Sequence, residues 1–244
     1  MIEIRHPRMD ATRDTESAYD AIYSDRGIAQ RDSFYLWLLE LVAARPGQSL
    51  LDVSCGQGAL VDFAARAGLR AYGLDFSMAA LERAQRRAPA NGFFAADAEQ
   101  LPLPSATFDR IMNIGSLEHY QHPEAGLREM ARVLKPDGMA CVLLPNAYGL
   151  FGNIKHVLQT GDVFDDGQPL QRYHTRTGWH AMLEVNGLTP FETIKYEREW
   201  PRTRADLGWY LRRPAKIVRL LITPLIPLNF ANCLVYLCRR GKRW

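Results

Sequence analysis

The chain has 244 residues, 47% of them hydrophobic and 23% charged, with a formal net charge of +3. That is enough chain for one large domain or two small ones, and the composition excludes a disordered or fibrous protein. Cys55, Cys141, Cys233 and Cys238 have no CxxC spacing, and the polar N-terminus lacks the apolar core of a signal peptide. Reduced thiols in a cytoplasmic protein are therefore expected.

No repeats or low-complexity segments interrupt the chain. Residues 15–44 read as helix, because Tyr19, Ile22 and Tyr23, then Phe34, Leu38, Leu41 and Val42, recur at three- and four-residue steps. RPGQ (45–48) breaks that pattern and opens the strand SLLDVS. After the loop CGQG, LVDFAARAG is expected as a helix closed by Gly68. RAYGLDFS (70–77) reads as a strand ending in Asp75, and MAALERAQRRAP as a helix ending near Pro89. A short strand ends near Asp97, and FDRIMNIGSLEH holds another that ends near Asn113. PEAGLREMARVLKPDG is expected as an amphipathic helix stopped by Pro136 and Gly138, followed by the strand MACVLLPN. Next come a helix in TRTGWHAMLEVNG and strands in LTPFETIKYER and ANCLVYLCRR. The alternation of strand and helix predicts an α/β fold with a Rossmann-like, doubly wound, mostly parallel sheet.

In such a sheet the ligand sits at the carboxyl ends of the strands, near the point where strand order reverses. Asp52, Asp75, Asp97 and Asn113 fall there, each ending an apolar run. An acid after the second strand suits a ribose diol, and one after the third suits an exocyclic amino group. Gly56 and Gly58 allow a backbone to approach a ligand that a Cβ would exclude.

Across residues 48–146 the sequence resembles the class I S-adenosylmethionine-dependent methyltransferases, in particular the small-molecule and quinone-biosynthesis branch. LDVSCGQG is similar to the family's first motif, GLDFS to its second, and ADAEQLPLPSATFDRI to its third and the entry to its fourth. LREMARVLKPDGMACVLLP resembles the helix and strand that follow. The resemblance implies a seven-stranded sheet with an antiparallel last strand and S-adenosylmethionine as cofactor. It implies that Asp52, Ser54, Gly56 and Gly58 line the methionine end and that Asp75 holds the ribose. Phe76 would pack on adenine, Asp97 and Ala98 would read its amino group, and Asn113 would lie beneath the sulfonium. Ser54 departs from the family's first glycine. The main rival, a nicotinamide-dependent oxidoreductase, lacks the last glycine of GxGxxG and gives Asp75 and Asp97 no role. A cofactor-binding scaffold without turnover is the alternative of another class.

The whole chain, 1–244, reads as one domain: a lid over 15–44, a cofactor-binding core over 48–146, and acceptor-side elements with the last strands over 147–244. In SLEHYQH, His119 is the candidate general base with Glu118 orienting it, for O- or C-methylation of a small-molecule acceptor. Tyr173 and His174 are expected to face the acceptor cleft, with Thr175 or Thr177 capping the next helix. Tyr19 and Tyr23 are expected to close over the cofactor. Glu118 and His122 have no further ligand cluster, so no metal is expected. NIGS stands where amino-methylating DNA enzymes carry Asn/Asp-Pro-Pro-aromatic, and no nucleic-acid module is visible.

Residues 198–243 hold eleven basic residues and two acids, an excess of nine positive charges that leaves the remainder at −6. The charge-free run Leu220–Cys238 is as long as a membrane span, but Pro224, Pro227, Asn229 and Asn232 argue against one. Just before it, Arg212, Lys216 and Arg219 share one helical face, and Ile217, Leu220 and Leu221 lie largely on another. That arrangement predicts contact with an anionic membrane surface and a lipid-like or lipid-linked acceptor.

Overall fold

The computed structural model describes residues 1–6, 12–25, 27–28, 30–196 and 199–241. Arg198, Lys242 and Arg243 of the basic segment lie outside the described residues. In chain order the elements are β1 (Ile2–Arg5), α1 (Thr12–Asp25), α2 (Asp32–Leu41), β2 (Ser49–Val53), α3 (Ala59–Arg66), β3 (Arg70–Asp75), α4 (Met78–Arg87) and β4 (Gly92–Ala95). They continue with β5 (Phe108–Ile114), α5 (Pro123–Val133), β6 (Leu134–Pro145), α6 (Lys155–Thr160), β7 (Leu170–Tyr173) and α7 (Arg176–Val185). The chain closes with β8 (Leu188–Lys195), α8 (Arg204–Leu211), α9 (Pro214–Ile222) and β9 (Cys233–Arg240).

Seven strands form one sheet in the order β4-β3-β2-β5-β6-β9-β8. Neighbours from β4 to β6 run parallel, and β9 pairs antiparallel with both β6 and β8. The predicted mostly parallel sheet with an antiparallel last strand is thus present. The chain winds outward from β2 to β4 and returns to β5 on the other side of β2. That reversal opens the sheet between the carboxyl ends of β2 and β5.

Alternation along the strands divides the core. Leu51, Val53, Ile111, Val142 and Leu144 face α5 and α7, where they meet Leu127, Met130, Trp179 and Leu183. Leu50, Met112, Cys141 and Val235 face the opposite way, onto Phe34, Leu38, Val42 and Leu60. Acceptable burial on both faces requires nearly continuous apolar strands, which is what these segments are.

The predicted helix over 15–44 is two helices, α1 and α2, with Gly27, Ile28, Gln30 and Arg31 in neither. Gly27 takes a left-handed φ of +67°, which ends α1. α5 stops at Val133, and KPDG belongs to β6 rather than to the helix. Leu134 pairs with Phe108, and a register shift between Phe108 and Arg110 absorbs the turn-like residues into the strand. The polar N-terminus contributes β1, which pairs antiparallel with β7 in a separate two-stranded ribbon. Pairing partners 169 residues apart give no local signal. Among the described residues, no helix is long and apolar enough to cross a membrane.

Candidate functional site

The loop after β2 turns under left-handed backbone. Ser54, Gly56 and Gly58 have φ values of +63°, +51° and +69°. At Gly56 the demand is also steric, since a Cβ would lie 2.6 Å from the Tyr23 hydroxyl. Gly58 caps α3 and is held against α4 and β4, where a Cβ would meet Ala84 and Phe93 respectively at 2.8 Å. Ser54 is a non-glycine residue in the αL region, a strain of about 1 kcal/mol. Its Oγ is tied to the Tyr120 hydroxyl at 2.7 Å, and the Asn113 amide donates to that hydroxyl at 2.9 Å.

Asp75 ends β3, buried, and its carboxylate accepts from the Gly56 amide at 2.8 Å and the Ser77 amide at 3.0 Å. Burial pushes its pKa up to about 6, against the two amides that favour the charged form. Asp52 is buried beside it, and burial together with the Asp75 charge holds it well above the usual carboxylate range. Asp97 accepts from the Glu99 amide at 2.8 Å, which fixes one oxygen and orients the other.

α1 covers these acids. The Tyr19 ring meets Phe76 edge-on at 5.4 Å, and its hydroxyl donates to Gln168 at 2.8 Å. Asp20 anchors the helix by accepting from Ser77 Oγ at 2.5 Å and the Ala79 amide at 3.2 Å. Arg83 donates to the Ser24 carbonyl, and Gln57 to that of Ile28.

Two cavities result. The larger, about 530 Å³, is lined by Tyr19, Tyr23, Ile28, Ser54, Asp75, Phe76, Asp97, Ala98, Glu99, Gly115, Ser116, His119, Tyr120, Gln121, His122 and Gln168. The smaller, about 240 Å³, shares Tyr23, Ile28, Ser54, Gly115 and Ser116 with it. Its other walls are Asp52, Cys55 and Gly56 from the loop and an apolar side with Phe34, Tyr35, Leu143, Tyr196 and Cys233.

Of the residues singled out in the sequence, Ser54, Asp75, Phe76, Asp97, Ala98, Tyr23 and His119 line the larger cavity, and Asp52 and Gly56 the smaller. Asn113 lines neither. Its side chain is spent on the Val53 carbonyl, the Tyr120 hydroxyl and the Leu117 amide, so it braces the floor from below. Tyr173 and His174 also line neither cavity. The Tyr173 hydroxyl donates to the Phe164 carbonyl, while the His174 ring packs on Trp179 and accepts from the Thr175 amide. The expected cleft position fails because β7 is drawn into the ribbon with β1. Thr175 does cap α7, accepting from the Gly178 amide.

The orienter of His119 is not Glu118. His119 Nδ1 sits 2.5 Å from the Leu170 carbonyl, an arrangement that fixes the proton on Nδ1 and leaves Nε2 as an acceptor. Glu118 Oε1 lies 3.9 Å from Nε2, beyond hydrogen-bond reach. Burial raises the Glu118 pKa to about 8 and lowers that of His119, so both are neutral near pH 7.

Tyr120, Gln168, Gly115 and Ser116 were not singled out for the site; only the hydrogen-bond partners across the fold reveal Tyr120. Removing its hydroxyl frees the strained Ser54 backbone. Tyr120→Phe is expected to weaken binding in the cavity about tenfold, the value of one to two neutral hydrogen bonds. Adding Ser54→Gly should restore most of it, because glycine takes φ > 0 without steric cost. Calorimetric titration with S-adenosylmethionine checks this; full affinity in the single variant would dismiss the tether.

A doubly wound sheet with acids at successive strand ends and a glycine loop at the order reversal defines a nucleotide-type ligand site at the carboxyl edge. Residues 51–142 match the family model described as "Methyltransferase domain". A demethylmenaquinone methyltransferase of Renibacterium salmoninarum is 35% identical over 129 residues, covering 53% of this chain and 54% of the relative. A 2-methyl-6-phytyl-1,4-hydroquinone methyltransferase of Oryza sativa subsp. japonica is 45% identical over 74 residues, covering 30% and 22%. The chain thus spans about half the length of the first and less of the second. Among solved structures, the [4+2]-cyclase SpnF superposes with a TM-score of 0.67 at 18% identity, covering 98% of both chains. A 1,6-didemethyltoxoflavin-N1-methyltransferase of Burkholderia thailandensis gives 0.59 at 18%, covering 93% and 87%. Those two likenesses concern the fold. Residues 51–142 are similar to a methyltransferase domain, and the curated relatives matched over this part of the chain are named for methylation in quinone biosynthesis.

Proposed function

We propose that the chain transfers a methyl group from S-adenosylmethionine to a small-molecule acceptor, lipid-like or lipid-linked, at oxygen or carbon. The observation that carries this reading is the cavity of about 530 Å³ walled in chain order by Ser54, Asp75, Phe76, Asp97 and Ala98. The residues fit the cofactor: Asp75 is a buried acceptor that burial alone disfavours, and Gly56 leaves room that a Cβ would close. Asp75 would hold the ribose diol, Phe76 the adenine face, and Asp97 with Ala98 its amino edge. Asp52, Ser54 and Gly56 would line the methionine end, with Gly58 keeping α3 close and Tyr23 closing the loop from above.

The cofactor supplies an electrophilic methyl group on a sulfonium. The protein contributes position and proton removal. His119, held by the Leu170 carbonyl, presents a neutral Nε2 that can take the proton released as the acceptor is methylated. The cofactor would extend from the larger cavity past the shared wall, Ser54, Gly115 and Ser116, with its methionine end against Asp52 and Gly56 of the smaller one, so the acceptor would meet it from the aromatic side. The aromatic side of the smaller cavity favours an apolar acceptor, and the relatives named for a menaquinone and a phytyl-hydroquinone support that class.

The whole chain acts as one domain in this reading. Residues 48–146 hold the cofactor, and elements from both ends enclose the acceptor. The Ser33 amide donates to Asp206 at 3.1 Å, which ties α2 to α8 and supports that arrangement. The setting is the cytoplasm at the inner face of a membrane, with the basic segment 198–243 toward an anionic surface.

Transfer of labelled methyl from S-adenosylmethionine into a cell extract, fractionated into lipid, polar, nucleic-acid and protein pools, tests the reading. Label should enter the lipid pool; label in no pool would refute it. His119→Ala is expected to lower kcat by about 100-fold, the scale of a lost general base, with cofactor affinity unchanged. An unchanged kcat would remove His119 from the chemistry.

A further inference from the structure

The sequence places cations on one face of the 212–221 helix and apolar residues on another, without deciding which face meets the protein. The side-chain exposures decide it. Leu220 is buried, whereas Val218, Leu221, Ile222 and Leu225 are exposed, Leu225 by 82%. These four stand at i, i+3, i+4 and i+7, a continuous helical stripe. The stripe is turned away from the protein.

α8 extends the same surface, with Leu211 66% and Leu207 51% exposed. On the other side, Arg219 lies over the Phe151 ring at 5.4 Å, which joins α9 to the segment carrying exposed Tyr148 and Leu158. Monomeric soluble proteins seldom leave so many large apolar side chains together in water. Arg204, Arg212 and Arg213 flank the stripe, and Arg213 is braced over Trp209 at 4.5 Å. The one acid between residues 200 and 241, Asp206, is buried and receives the Ser33 amide.

Its position relative to the cavities is fixed by Lys195, at the end of β8. Lys195 Nζ donates to the carbonyls of Thr223, Pro224 and Ile226 at 2.9, 2.8 and 2.8 Å, pinning the turn after α9 to the carboxyl edge of the sheet. The next residue, Tyr196, lines the smaller cavity, as does Cys233 at the start of β9. The apolar stripe and the acceptor wall therefore belong to one edge of the molecule.

We infer that the outer face of α8 and α9 is the membrane-docking surface, inserting Val218, Leu221, Ile222 and Leu225 among lipid chains while the arginines engage anionic headgroups. Apolar side chains turned outward beside cations are the pattern of a helix lying in the interface plane. Charge complementarity selects an anionic bilayer over a second copy of this chain, because a two-fold contact through this face would oppose arginine to arginine. The inference rests on the methyltransferase reading only for its purpose, delivery of a lipid-carried acceptor to the edge that holds the cavities.

The test is co-sedimentation of the full chain with unilamellar vesicles of phosphatidylcholine containing phosphatidylserine, or of phosphatidylcholine alone. Wild type should pellet with the anionic vesicles at low ionic strength and release on added salt. Leu221→Glu with Leu225→Glu should weaken the partition by at least about tenfold, and Arg212→Ala with Arg213→Ala should remove the dependence on anionic lipid. The leucine variant alters only exposed positions, and calorimetric titration of each sample with S-adenosylmethionine reports whether the cofactor site is intact. Wild type remaining in the supernatant with both vesicles, or a leucine variant that pellets like wild type, would overturn the inference. So would lipid-free self-association in sedimentation velocity that the leucine variant abolishes, since it assigns the face to a second copy. Vesicle binding without cofactor binding would instead refute the methyltransferase reading and leave the docking surface standing.

Discussion

Replacing Asp75 with alanine is expected to weaken S-adenosylmethionine binding by about 100-fold or more. Hydrogen bonds to an ionised acceptor are worth about 1.5–3 kcal/mol each, and Asp75 is the buried carboxylate of the larger cavity wall. The substitution also strips the Gly56 and Ser77 amides of their acceptor, so the loop after β2 and the start of α4 lose a common anchor. Asp75→Asn separates these effects. It keeps the volume and one accepting oxygen, so it should fold better than the alanine variant yet bind the cofactor poorly. Calorimetric titration of both, with circular dichroism for the fold, decides the matter. Binding within about threefold of wild type in both variants would remove Asp75 from the cofactor site.

The raised pKa of Asp75, about 6, gives that result a pH signature. The folded state binds this proton more tightly than the unfolded chain, whose carboxylate titrates near the ordinary value. Asp75 therefore makes stability fall as pH rises from about 4 to about 6, and contributes no further change above that. Cofactor binding runs the other way, since the ionised carboxylate is the better acceptor. Affinity should decline as pH falls below about 6, and this decline should be absent in Asp75→Asn.

Asp52, Asp75 and Asp97 were legible because each ends a strand, and a strand end is set by a local apolar run and a following loop. Tyr120 was not legible. Its part depends on Ser54, 66 residues away, taking a backbone conformation that serine rarely adopts. The places of Tyr173 and His174 are hidden for a related reason: β7 is positioned by β1, and the alternation Ile2-Glu3-Ile4-Arg5 is too short to announce a strand or to name its distant partner. Glu118 and His119 were found by type, but their relation required coordinates, because the partner of His119 is a backbone carbonyl 51 residues away. The periodicity of 212–222 marked an amphipathic helix without saying which face meets the protein. Lys195, anchoring the turn after α9, settles that orientation from a different strand.

An ion pair with unusual surroundings ties the start of α2 to the segment before α8, and breaking it should produce the largest loss of stability. Arg31, just before α2, places Nη2 2.5 Å from Oε1 of Glu199, a fully buried carboxylate. The Arg31 guanidinium lies over Trp209 at 4.5 Å and Tyr210 at 4.9 Å, so α8 supplies the walls and α2 the cation. Removing one partner leaves a charge in an apolar setting, and Arg31→Ala or Glu199→Ala is expected to cost about 3–5 kcal/mol. In a chain of this length that lowers Tm by roughly 10 °C. Arg31→Met with Glu199→Leu should recover much of the loss, because the penalty comes from the stranded charge rather than from the lost attraction. The local consequence distinguishes this pair from a generic core contact. α2 carries Phe34 and Tyr35 to the smaller cavity, while the larger cavity is anchored through Asp20 and Asp75. The single variants should therefore speed hydrogen exchange over 30–42 and 199–211 and raise the acceptor KM by more than they weaken S-adenosylmethionine binding, since only the methionine end of the cofactor reaches this cavity. A loss of cofactor affinity equal to the loss of acceptor affinity would mean that α2 and the cofactor loop unfold as one unit.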